Sequence, residues 1–177
     1  TGMGSMAWSG FEPGNDARCV NSLKLDGAII LGKTVTAEFA IDAPGPTRNP
    51  YDLERSPGTS SSGSAVAVST RMAPLALASQ TAGSTIRPSS YVGIYGMKPS
   101  FGTIPRTGVL KTSDTLDNVA FMGLEVNDLR ILFDTVRVKG KNYPYVNHYL
   151  ENIENQTLDS RPLKIGLAIT HTWKHAA

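Results

Sequence analysis

Two short runs of Ser, Thr and Gly are the places in this chain where hydroxyl and backbone chemistry could meet. Residues 59–64 read Thr-Ser-Ser-Ser-Gly-Ser, and residues 80–84 read Gln-Thr-Ala-Gly-Ser. Small side chains leave the amides of such turns open to a ligand. A serine nucleophile needs a base to take its proton and donors for the oxyanion that develops. The segment Thr81-Ala82-Gly83-Ser84 offers Ser84 as nucleophile beside its own amides. Two other readings fit the same residues: tight packing points without reactivity, and a phosphate cradle at helix N-termini.

Other chemistries find little support. The three histidines, His148, His171 and His175, all lie near the C-terminal end, far in sequence from either turn. There is no Gly-x-Ser-x-Gly elbow, which argues against an α/β-hydrolase, and no Ser-x-x-Lys, which argues against a β-lactamase. No cluster of Cys, His and acids has metal-ligand spacing, so no metal or other cofactor is expected. A Gly-x-Gly-x-x-Gly pattern is absent. A net charge of +2 from scattered basic residues gives no nucleic-acid footprint. No apolar run reaches the length of a bilayer span. A lone cysteine, Cys19, excludes an internal disulfide framework and points to a reducing, cytoplasmic setting. It lies beside the apolar stripe of a predicted helix, where it should be buried and inert.

The elements that must position the turns can be read from periodicity. Hydrophobic residues at 40% and charged ones at 18% describe a globular chain with a sizeable core. Asn15 is a candidate N-cap, Ala17, Val20 and Leu23 repeat at helical spacing, and Gly27 is a candidate stop. Ala28–Leu31 and Leu75–Ala78 are short apolar runs that predict buried strands. Residues 42–58 are rich in Pro and Gly and predict a long ordered loop. Ala65–Val68, after the first Ser/Gly run, predicts a buried helix whose N-terminus faces a site. A strand is expected around Tyr91–Met97, with Gly at close-packed points. Leu129, Leu132, Phe133 and Val136 mark an amphipathic helix. The alternation of Leu163, Ile165, Leu167 and Ile169 predicts a final strand. Helix and strand in succession imply an α/β class, a mixed β-sheet packed between helices. Both ends read as cuts through a longer chain, with an expression scar as the alternative at Thr1-Gly2-Met3-Gly4-Ser5.

Several blocks, in order, resemble the amidase signature family. Pro57-Gly58-Thr59-Ser60-Ser61-Ser62-Gly63-Ser64-Ala65 resembles its Gly/Ser-rich core, and Gln80-Thr81-Ala82-Gly83-Ser84-Thr85-Ile86-Arg87-Pro88 its second block. Gly32-Lys33-Thr34 with Glu38-Phe39, Gly45-Pro46-Thr47-Arg48-Asn49-Pro50, and Gly93–Ser100 with Phe101-Gly102 match in sequence order. Thr59 and Ala82 depart from the pattern, since the family usually has Gly at the first and often at the second.

The resemblance covers roughly residues 1–136 well and the remainder loosely. It implies an amidase signature fold, incomplete here, in which residues 1–177 form the central part of a single domain with no separate second one. It further implies a Ser–cis-Ser–Lys triad acting on the C–N bond of a linear amide. By position, Ser84 is the nucleophile that forms the acyl-enzyme. Ser60 is the proton relay that follows a cis peptide, and Ser61 supports it. The amides of Thr81, Ala82, Gly83 and Ser84 form the oxyanion hole, and Arg87 is structural. The triad lysine of the family lies upstream of the residues matching Thr1–Gly4, so Lys33 and Lys98 are read as structural. Three functions follow: a hydrolase of carboxylic acid amides; a truncated or degenerate relative that is inactive and serves as a binding or structural partner; and one chain of an amidotransferase. The expected partners are a small-molecule amide and either a second copy or a complementary chain, with no nucleic acid and no membrane. Apolar strands such as 28–31 and 75–78 would then face solvent or another chain.

Overall fold

The computed structural model describes residues 1–143, 162, 164–171 and 173. The chain divides into two compact units, Thr1–Lys139 and Gly140–Ala177.

The first unit is built on a three-stranded sheet in the order β1-β3-β2. Its strands are β1 (Leu75–Gln80), β2 (Tyr95–Met97) and β3 (Asn118–Gly123). Both outer strands pair antiparallel with β3, from Leu75 opposite Gly123 to Gln80 opposite Asn118, and from Tyr95 opposite Gly123 to Met97 opposite Phe121. The expected mixed sheet is therefore antiparallel throughout the described residues. The side chains of β3 alternate between two layers, as a period of two requires. Val119 and Phe121 pack with Cys19, Leu23, Ile104, Leu129, Leu132 and Val136. Met122 packs on the opposite face with Ala65, Val68 and Val92. The sheet thus lies between α1 (Arg18–Leu25) with α4 (Val126–Val136) on one side and α2 (Ser62–Ser69) on the other. Burying a side chain such as Phe121 contributes roughly 1.5–3 kcal/mol.

Local signals locate most of these elements. In α4, Leu129, Leu132 and Val136 are buried at the predicted spacing. Helix α1 starts three residues beyond the expected cap. Asp16 pairs with Lys24 at 2.8 Å, and the Arg18 N–H donates to the Thr107 carbonyl, so Asn15 caps nothing. Gly27, with φ of +88°, does end the helix. The loop over 42–58 carries no helix or strand, and Asn49 organises it, donating to the carbonyls of Ser56 and Tyr91 at 3.2 Å.

Three expectations need correction. Ala28–Leu31 is not a strand: no described segment pairs with it, and Ile29 and Leu31 are 84% and 70% exposed. Between the second Ser/Gly run and β2 a short helix, α3 (Ile86–Tyr91), takes Tyr91 from the expected strand, which begins only at Tyr95. Pro88 lies in its first turn, where a missing N–H removes no helical bond. In the second unit, residues 164–170 carry no regular structure, and Ile165, Leu167 and Ile169 are exposed, so no strand forms there. Leu163 lies outside the described residues.

Candidate active site

The first Ser/Gly run folds as a turn into α2, and glycine governs its geometry twice. Gly58 has φ of +86°, and a side chain there would meet Pro88 Cα at 2.8 Å. At Gly63 a Cβ would fall 2.4 Å from the Val35 carbonyl oxygen, so the helix start can approach the 34–35 backbone only without one. Gly63 donates its N–H to that same carbonyl at 3.1 Å. Ser64 shares a hydrogen bond with Thr34 at 2.8 Å and donates to the Leu77 carbonyl at 2.9 Å. Part of the run is therefore packing, one of the readings its composition allows.

Ser60 is different. It is 1% exposed, and its Oγ has no hydrogen-bond partner among the described residues. The Thr59–Ser60 peptide is cis, as the resemblance implies. Ser61 is also buried.

The second run leaves β1 and turns into α3. Gln80 organises it from within: its Oε1 accepts from the N–H groups of Thr85 and Ile86 at 2.9 and 3.0 Å, while its Nε2 donates to the Ala82 carbonyl at 2.8 Å. Between these anchors lie the amides of Thr81, Ala82, Gly83 and Ser84. Among the described residues no acceptor meets any of the four. Ser84 is half-buried. The turn therefore carries a nucleophile type and a row of uncommitted donors side by side.

Ser61 and Arg87 join the first run to the second and its flanks. Ser61 donates its N–H to the Ser84 carbonyl at 3.3 Å, and its Oγ donates to the Ser79 carbonyl at 3.3 Å. Thr85 Oγ1 donates to that same carbonyl at 3.1 Å. Arg87 lays Nε and Nη2 on the Thr59 carbonyl at 3.2 and 3.1 Å, and Nη2 on Thr59 Oγ1 at 3.3 Å. Arg87 thus bridges from α3 to the first run. Ser60, Ser61, Thr81, Ala82, Gly83, Ser84 and Arg87 are gathered in one place.

Other candidates lie elsewhere. Lys33 donates to Thr1 Oγ1 and Lys98 to the Pro99 carbonyl, both at 2.8 Å. His171 is exposed in the second unit, and His148 and His175 lie outside the described residues. Cys19 is buried in the core, and burial pushes its thiol up from its usual value. Among the described residues no group of three or more His, Cys, Asp or Glu could hold a metal, and no helix is long and apolar enough to cross a membrane.

Sequence reasoning missed Asp117, which is 6% exposed. Its carboxylate accepts from Thr81 Oγ1 at 2.5 Å and from the N–H groups of Thr112 and Ser113 at 2.6 and 2.9 Å. Thr112 Oγ1 donates as well, at 3.1 Å. Burial would raise this carboxyl, but the bonds from Thr81, Ser113 and Thr112 outweigh it and hold the group below its ordinary value. The one cue in sequence was an acid two residues before the apolar run Val119–Met122.

Solved structures share this architecture. A glutamyl-tRNA(Gln) amidotransferase subunit from Thermotoga maritima superposes with a TM-score of 0.75 at 37% identity, over 80% of this chain and 33% of that one. The peptide amidase PAM, bound to the competitive inhibitor chymostatin, does so with a TM-score of 0.74 at 32% identity, over 92% of this chain and 34% of that one. In sequence, the corresponding glutamyl-tRNA(Gln) amidotransferase subunit from Thermus thermophilus is 41% identical over 142 residues, 77% of this chain and 30% of the relative. The fold is an α/β one, the amidase signature fold. The Amidase family model matches residues 1–177, and the chain belongs to that family. It spans about a third of the length of these relatives.

Proposed function

We propose that these residues carry the nucleophile, relay and oxyanion segments of an enzyme that hydrolyses carboxylic acid amides. The observation that carries the reading is the junction of the two turns: Ser61 is bonded to the Ser84 carbonyl, and four uncommitted amides lie at Thr81–Ser84. Ser84 Oγ attacks the amide carbonyl. Its proton passes to Ser60 Oγ as Ser60 gives its own to a lysine outside residues 1–177. The buried, unpartnered Ser60 hydroxyl supports this role, because a relay needs its O–H and a lone pair uncommitted to other groups. The carbonyl oxygen gains negative charge, which the amides of the turn stabilise. The C–N bond then breaks, the amine leaves with a proton returned through Ser60, and Ser84 holds the acyl group as an ester. Water attacks the ester, releasing the acid and restoring the Ser84 hydroxyl. No cofactor enters these steps. Residues 1–177 form the central part of one amidase domain in this reading, and its setting is cytoplasmic.

A second reading keeps the same chemistry within a larger assembly. The Thermus thermophilus relative is one subunit of an amidotransferase. The exposed run Ile29–Leu31 supports a complementary chain as a partner. Treatment of the full-length protein with a fluorophosphonate, followed by peptide mapping, tests both: the adduct is expected on Ser84, and absence of label there overturns the nucleophile assignment. Ammonia release from a primary amide by the protein alone separates the free-standing enzyme from the component of an assembly.

A further inference from the structure

We infer that Asp117 is a positioning residue for the oxyanion segment, acting through the hydroxyl of Thr81; this rests on the reading of Ser84 and its turn given above. The turn 81–84 needs two fixed ends if its free amides are to converge on one oxygen. Gln80 holds the far end through Thr85, Ile86 and Ala82. Nothing within the turn holds the near end. Asp117 does so from the start of the neighbouring strand, with Thr81 Oγ1 at 2.5 Å.

The acceptor geometry explains why a carboxylate is used. One oxygen receives Thr81 Oγ1, and the other receives the N–H groups of Thr112 and Ser113. Thr112 Oγ1 reaches both oxygens and also lies 3.1 Å from Thr81 Oγ1. The two backbone N–H groups can only donate, so the oxygen facing them must accept, while the hydroxyls of Thr81 and Thr112 donate to the carboxylate. An amide in its place would turn an NH₂ either toward Thr81 or toward the Thr112 and Ser113 amides. Charged acceptors hold such donors more tightly than neutral ones. Asp117 directly precedes β3, and Gln80 pairs with Asn118 in the register. Asp117 therefore ties the turn to the most buried strand of the core.

The test is a double-mutant cycle on the full-length protein with Asp117→Asn and Thr81→Val, read as the rate of Ser84 labelling by a fluorophosphonate, as kcat and KM on an amide substrate, and as melting temperature. Misplacing a catalytic group by about 1 Å costs on the order of 100-fold. Each single variant is expected to label Ser84 about 100-fold more slowly, with kcat reduced to match and KM unchanged. The double variant is expected to be no slower than the worse single one, because both remove one link. Multiplying losses, or losses in KM alone, would overturn the inference. So would wild-type labelling in a folded Asp117→Asn protein. If Asp117→Asn does not fold, Thr81→Val decides alone, and a wild-type rate there refutes the link. A wild-type protein that takes no label at Ser84 overturns the underlying reading, and this inference with it.

Discussion

The backbone N–H of Ser61 donates to the carbonyl of Ser84 at 3.3 Å. This one bond joins the serine next to the buried Ser60 to the half-buried serine of the second turn, across a helix start and a strand end. The side chains of Ser61 and Thr85 converge on the Ser79 carbonyl beside it. Two serine-bearing turns separated in the chain are thereby held together, and Ser60 and Ser84 can be tested separately.

Ser84→Ala removes the attacking oxygen. Turnover of an amide is expected to fall by at least about 10³-fold, as for the loss of a nucleophile in a unit that acts together. Labelling should vanish while the melting temperature is unchanged. Retained turnover would assign the attack to another group.

Ser60→Ala probes the relay. Loss of a proton-transfer group costs about 10²–10⁴-fold in kcat. Its Oγ has no hydrogen bond to lose, so stability should stay level or rise, since an unsatisfied buried hydroxyl is unfavourable. Ser61→Ala is the contrast: it loses the bond to Ser79 and should cost about 1 kcal/mol. Urea denaturation of both variants checks this. A Ser60→Ala protein destabilised as much as Ser61→Ala would show that Ser60 has a structural partner.

Asp117 gives the protein a signed pH dependence. Its carboxyl is held below its ordinary value by bonds from the hydroxyls and amides of Thr81, Ser113 and Thr112, outweighing burial. The stabilisation is complete above the value of the unfolded chain and is lost as pH falls through the lower, folded value. Denaturation midpoints should therefore decline across the acid side of the carboxylate range. Asp117→Asn should lack that part of the decline. Parallel curves for the two proteins would assign the acid loss to other groups.

Phe121 is central to the layer formed with Leu129, Leu132 and Val136. Phe121→Ala should cost about 3–5 kcal/mol, from lost burial and the cavity left behind. A midpoint shift much smaller than this would mean that the layer collapses around the truncated side chain.

The run Ile29–Leu31 offers a different handle. Ile29 and Leu31 stand 84% and 70% exposed. Replacing both with Lys should reduce self-association of the 177-residue chain, read by sedimentation velocity. Unchanged association would locate the contact elsewhere.

Sequence alone determined the family, the two serine turns and the helices with a single buried stripe. These depend on local order: a block of Gly and Ser allows close backbone approach, and an apolar repeat along α4 allows only one face to be buried. It could not separate two apolar runs of the same kind. Ala28–Leu31 and Val119–Met122 look alike as tetrads, yet the second lies within β3, paired and buried, while the first is unpaired and exposed. Strand pairing is made with residues distant in the chain, so no local pattern carries it. The same reason hid Asp117. Its carboxylate matters only because folding brings Thr81 within 2.5 Å of it, and only the tertiary structure decided that an acid at the foot of one strand would anchor a turn at the end of another.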